Sequence, residues 1–191
     1  SFLQYSIRET AIKMQRYEER TGYQSETELR EENNSLRAEL ASLRSMIKPP
    51  NLVLEQFNPV GPANFNIYGF PLGHRIRIVG MPNTNASRFN INLNTHSDVA
   101  FHFNPRFNER CVVRNNTRGG MWQQEDRTGG FPFHLNEFFT VELVSSYGVI
   151  KVLVDGQDFP SFVERVPGYT SAVNLSIEGD VSIHSVQVFS A

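Results

Sequence analysis

Apolar residues recur along this chain with two different periods, and the change from one to the other divides it in two. From Ser25 to Lys48 the period is seven: Leu29, Leu36 and Leu43 form one row, with Asn33, Leu40 and Ile47 four residues after each. These are the d and a positions of three heptads, the seam of a coiled coil. Ser25 and Glu28 make a capping box at its start, and Pro49-Pro50 cannot continue the helix, so a rod of roughly 33 Å is predicted. Arg30, Arg37 and Arg44 occupy e, while Glu32 and Glu39 occupy g. Opposite charges meet across a parallel pair and like charges across an antiparallel one, so a parallel homo-oligomer is favoured. Asn33 at an a position favours a dimer over a trimer. An amphipathic helix packed on its own domain, or a helical hairpin, would show the same stripe. Upstream, Leu3, Ile7, Thr10, Met14 and Tyr17 keep a similar spacing out of phase with the seam, and Gly22 interrupts. Residues 2–20 therefore read as a separate helix that either extends the stalk or folds back along it.

Past Asn51 the period falls to two. Short alternating segments run at Leu52–Leu54, Asn64–Tyr68, Arg75–Val79, Arg88–Leu93, Val99–Phe103, Val112–Asn115, Thr140–Val144, Val149–Val154, Ala172–Ile177 and Val181–Phe189. Gly, Pro, Asn and Asp punctuate them, as in Gly80-Met81-Pro82-Asn83 and Asp155-Gly156. That spacing predicts an antiparallel β-sandwich. The chain thus reads as a helical oligomerisation segment (1–48), a proline hinge (49–51) and a mainly β domain (52–191). Composition sharpens the boundary, since fourteen of the fifteen Phe and the single Trp follow the proline pair.

The totals exclude several classes. A net charge of −2 lacks the basic excess of a nucleic-acid footprint, and no apolar run has membrane-spanning length. The single Cys111 leaves no intramolecular disulfide. His74, His96, His102, His134 and His184 lack paired ligand spacing, so neither a metal nor a cofactor is expected. The chain opens on Ser1 without a Met, as a trimmed or excised sequence would.

Chemistry concentrates between His102 and Arg127. On an extended strand His102, Asn104 and Arg106 share one face, and Phe101, Phe103 and Phe107 the other. Val112 and Val113 restart a strand that ends at Asn115, and a Thr117-Arg118-Gly119-Gly120 turn leads to a third segment with Trp122, Glu125 and Arg127. Side by side, the three would gather donors, acceptors and a flat indole. Such a set suits a sugar, whose hydroxyls both donate and accept and whose C–H face packs on an aromatic ring.

The run H-x-N-P-R, an Asn nine residues beyond it and then W-x-x-E-x-R resembles the carbohydrate-recognition signature of the galectins, the β-galactoside-binding lectins. The likeness extends through Arg88–Leu93 and Phe131-Pro132-Phe133, and covers roughly residues 51–191. It implies a jelly roll of two sheets. It also implies roles: His102, Asn104 and Arg106 on the axial 4-hydroxyl of galactose, Asn115 and Glu125 on the 6-hydroxyl, and Trp122 stacked on the ring. Arg106, Glu125 and Arg127 would reach the 3-hydroxyl of a following glucose or N-acetylglucosamine. The partners implied are lactose and N-acetyllactosamine-type glycans on glycoproteins or glycolipids.

No enzymatic activity is expected, because Glu125 and Asp126 point to opposite faces of a strand and glycoside hydrolysis needs two carboxylates flanking one bond. N-x-S/T triplets stand at Asn33, Asn85, Asn115 and Asn174. Glycans on Asn33 or Asn115 would obstruct the seam or the sugar site, which, with a free cysteine, favours a cytoplasmic protein; the family resemblance adds export without a leader. The function expected is a galactose-binding lectin made multivalent by its stalk. The contrasting expectation is an intracellular scaffold whose helical segment binds a protein and whose sandwich is structural.

Overall fold

The computed structural model describes residues 31, 32, 34–36, 38, 51–59, 63–165 and 168–191. The chain divides into two compact units, Ser1–Pro50 and Asn51–Ala191. In the first, the described residues are helical, and Leu36 is buried. Leu29, Asn33, Leu40, Leu43 and Ile47, and with them the parallel seam, lie outside the described residues.

The second unit is an antiparallel sandwich. One sheet orders β1 (Leu52–Phe57), β13 (Val181–Phe189), β3 (Arg75–Pro82), β9 (Phe139–Ser146), β10 (Val149–Val154) and β11 (Gln157–Val163). The other orders β2 (Ala63–Asn66), β12 (Asn174–Gly179), β4 (Phe89–Asn94), β5 (Val99–Arg106) and β6 (Cys111–Asn115). Alternation along each strand decides which side chains fill the space between the sheets. On β4, Phe89, Ile91 and Leu93 are fully buried, while Asn90, Asn92 and Asn94 face outward. Phe133 wedges between strands of both sheets, with its ring edge-on to Phe89 at 5.5 Å and to Phe139 at 5.2 Å.

Three local expectations are corrected. Gly80-Met81-Pro82 belongs to β3 rather than to a turn; a Cβ on Gly80 would lie 2.9 Å from the Phe139 ring, so glycine there admits a close approach. Strand β11 was hidden by Asp158 and Pro160. As an edge strand it tolerates a proline, and its register shifts opposite Ile150–Val152 so that Phe159 and Phe162 both reach the core. The third segment of the polar stretch is not a strand lying along β6. It consists of a hairpin, β7 (Thr117–Arg118) with β8 (Met121–Trp122), followed by a single bridge of Asp126 to Arg114.

Candidate functional site

The register of β5 against β6 sets His102 opposite Asn115, Asn104 opposite Val113 and Arg106 opposite Cys111. The β7–β8 hairpin turns through Gly119 and Gly120, both with positive φ (57° and 74°), the backbone a two-residue hairpin loop requires. It brings Trp122 to His102, ring centroids 4.7 Å apart, and leaves the indole 55% exposed. An open cleft of about 430 Å³ results, lined by Arg88, Asn90, His102, Asn104, Arg106, Val113, Asn115, Trp122, Gln123 and Glu125.

Charge along one side of the cleft closes into a ring. Arg106 Nη2 donates to Glu125 Oε1 (2.8 Å) and Nη1 to Glu109 Oε1 (3.2 Å). Arg127 Nε donates to Glu125 Oε2 (2.7 Å) and Nη1 to Glu109 Oε2 (2.6 Å). Each carboxylate thereby bridges two guanidinium groups, and each guanidinium two carboxylates. One exposed pair would contribute little, but a closed cycle fixes four long side chains before any ligand arrives. Burial works to raise the Glu125 carboxyl, yet hydrogen bonds from Arg127 and Arg106 hold it below the usual range. Those from Arg127, then Arg106, lower Glu109, and the two carboxylates raise Arg127.

His102 has a defined tautomer. Asn92 turns its Nδ2 toward Asn90 Oδ1 (2.9 Å), so its carbonyl oxygen faces the ring and accepts from His102 Nδ1 at 2.6 Å. Nε2 is left as an acceptor. Burial, against smaller opposing effects, lowers the imidazole to about 4, so the ring is neutral at pH 7. Asn104 donates to the Phe89 carbonyl (2.5 Å) and accepts from Arg106 Nε (2.7 Å). Asn115 is nearly spent: its Oδ1 accepts from Asn116 N (2.9 Å) and Arg165 Nη1 (3.3 Å), and Nδ2 donates to the Gln123 carbonyl (2.8 Å). One N–H remains for a ligand. Among the described residues no cluster of His, Cys, Asp and Glu could hold a metal ion.

The sequence model of the galactoside-binding lectins matches residues 64–188. The chain belongs to the galectin family of galactoside-binding lectins. It is 36% identical over 122 residues to the 32 kDa beta-galactoside-binding lectin of Haemonchus contortus, which covers 63% of this chain and 42% of that protein. Human galectin-7 is 36% identical over 126 residues, 63% of this chain and 91% of that one. The chain therefore spans less than half the length of the nematode lectin and nearly all of galectin-7. Among solved structures it is similar to Caenorhabditis elegans galectin LEC-6, with a TM-score of 0.68 and 46% identity over 71% of this chain and 96% of that one.

In this galectin domain all seven signature residues converge on one surface. His102, Asn104, Arg106, Asn115, Trp122 and Glu125 line the cleft, and Arg127 stands at its rim, held through Glu125 and Glu109. Other residues that shape the cleft lie outside the signature. Glu109 closes the charged ring from the β5–β6 turn. Asp98 fastens the Trp122 hairpin, its Oδ1 accepting from Thr117 Oγ1 and Gly120 N (both 2.8 Å) and its Oδ2 from Gly119 N (3.2 Å). Arg165 reaches in from fifty residues away to Asn115 and to the Gln124 carbonyl, its guanidinium over the Phe162 ring. The Thr-Arg-Gly-Gly turn was visible in the sequence; the carboxylate that anchors it was not, because nothing local ties Asp98 to residue 120.

Proposed function

We propose that this galectin domain binds β-galactosides, with galactose stacked on Trp122 within hydrogen-bond reach of His102 and the following sugar against Arg106, Glu125 and Arg127. The observation that carries this reading is the pairing of an exposed indole with a neutral imidazole acceptor beside a pre-ordered ring of guanidinium and carboxylate groups. An axial hydroxyl entering there meets an acceptor on His102 and donors on Arg106, whereas an equatorial one would leave both unpaired. The reading is non-catalytic: both oxygens of Glu125 are ion-paired, and Asp126 pairs with Arg114.

Retention on immobilised lactose, with elution by free lactose, tests it. Trp122→Ala should weaken binding at least tenfold, about 1.4 kcal/mol, by removing the apolar floor. Flow-through of the unaltered chain would instead favour a scaffold with a structural sandwich.

Affinity should be level from pH 8 to about 5 and fall as pH approaches 4, where His102 gains a proton and Nε2 ceases to accept. Because its folded pKa lies below the ordinary 6.5, the unfolded chain binds more protons between pH 6.5 and 4, so stability also declines across that window on acidification. Titration calorimetry at several pH values reads the first effect; a loss of affinity already at pH 6.5 would contradict the assignment.

The heptad seam supports a further part of the proposal, that a parallel stalk presents two such sites together. Removing residues 1–48 should leave affinity for lactose unchanged and lower avidity for a dense glycan surface by roughly 100-fold. Equal avidity by surface plasmon resonance would refute tethering. A cytoplasmic origin is supported by the triplet at Asn115, which lines the cleft, since a glycan attached there would fill the sugar site.

A further inference from the structure

At the inward-facing position of β6 beside Phe103, where an apolar residue would pack without cost, the chain carries Arg114, which is fully buried. Its guanidinium stands 5.1 Å from the Phe159 ring centroid. Nη2 pairs with Asp126 Oδ1 (2.7 Å) and donates to Thr128 Oγ1 (2.8 Å), while Nη1 donates to the Thr128 carbonyl (3.0 Å). The Thr128 hydroxyl donates in turn to Asp126 Oδ1 (2.8 Å). Main-chain bonds run both ways between Arg114 and Asp126, at 2.8 and 2.9 Å. A buried ion pair is seldom more stabilising than the hydrophobic residues that could replace it, so its use here calls for another account.

Its place in the chain supplies one. Asp126 sits between Glu125 and Arg127, and its inward turn aims both neighbours outward at Arg106 and Glu109. The residues after β8 form no strand until β9, and Arg114↔Asp126 is their one bridge among those described. The other half of the cleft is held by different means: His102 by Asn92, Asn104 by the Phe89 carbonyl, and the Trp122 hairpin by Asp98. We infer that Arg114, Asp126 and Thr128 are positioning residues that set the preference for a disaccharide over galactose alone, by fixing Glu125 and Arg127 against the second sugar. This rests on the galactoside reading above.

Titration of lactose and of methyl β-galactoside into the full chain tests it. Thr128 is exposed, so Thr128→Val removes the hydroxyl linking Arg114 to Asp126 without disturbing the core. It should weaken lactose threefold or more and methyl β-galactoside by less, since Glu125 also serves the galactose ring while Arg127 serves only the second sugar, and Thr128→Ser should restore the preference. Arg114→Met with Asp126→Leu should weaken lactose about tenfold and the monosaccharide by less; if that pair fails to fold, Thr128→Val decides. A lactose-to-methyl-galactoside affinity ratio unchanged in Thr128→Val overturns the inference while leaving the binding function intact. An unaltered chain that binds neither sugar overturns both.

Discussion

Arg106→Met should abolish measurable lactose binding, a loss of more than 100-fold. The side chain is only 18% exposed and places three donors on three fixed acceptors: Nε on Asn104, Nη1 on Glu109 and Nη2 on Glu125. Met keeps the length of the stem and removes every donor. Each hydrogen bond to a charged group contributes about 1.5–3 kcal/mol, so losing two toward the sugar costs about 3–6 kcal/mol. Damage to the site adds to this, because Glu109 and Glu125 would be left sharing the single guanidinium of Arg127. Lysine should not rescue binding, since a point charge cannot bridge two carboxylates and an amide in one plane. Calorimetry with lactose, alongside an unchanged far-ultraviolet dichroism spectrum, is the measurement. An affinity within tenfold of the parent would place the sugar elsewhere.

What the sequence made legible follows from how far each signal reaches. Alternation is local, so Phe89-Asn90-Ile91-Asn92-Leu93 announced a half-buried strand and His102-Phe103-Asn104 a polar face backed by core. The seven site residues could be named as a set because their spacing resembles the galectin signature; alternation alone gave only the shared face of His102, Asn104 and Arg106. Glu109 lies in that turn, yet its role depends on Arg127, eighteen residues away, which reaches it only through the path of the chain after β8. Asp98 and Arg165 act over 22 and 50 residues of sequence. Strand β11 was missed for a different reason: Pro160 disrupts a period-two pattern at an edge where the structure tolerates it. Arg114 was the largest surprise. Its alternation as an inward position follows from Val112, but nothing local supplies a partner for a charge there, since Asp126 becomes a neighbour only when the segment doubles back.

That buried arginine underlies the second large effect. Asp126→Ala should destabilise the domain by about 3–5 kcal/mol, a large part of the roughly 5–15 kcal/mol that holds a domain together. Removing the carboxylate strands the guanidinium in the core with only the Thr128 hydroxyl and carbonyl as hydrogen-bond partners. Its Nε already lacks a partner among the described residues. Thermal unfolding should show Tm lowered by about 10 °C or more. Arg114→Met with Asp126→Leu should recover most of that loss, since neither desolvated charge remains. Acid titration offers a second readout. Although burial raises the Asp126 carboxyl, hydrogen bonds from Thr128 and Arg114 carry it down to about 2, against an ordinary 3.8. A depressed folded pKa means a contribution that is complete above pH 4 and lost as pH falls through 2. With the side chain 32% exposed, screening leaves that contribution at about 1–2 kcal/mol. The doubly substituted protein should lack this acid limb while staying close to the parent in stability at pH 7. A Tm for Asp126→Ala within 3 °C of the parent would mean that water already reaches Arg114. In that case the pair could not hold Glu125 and Arg127 in place.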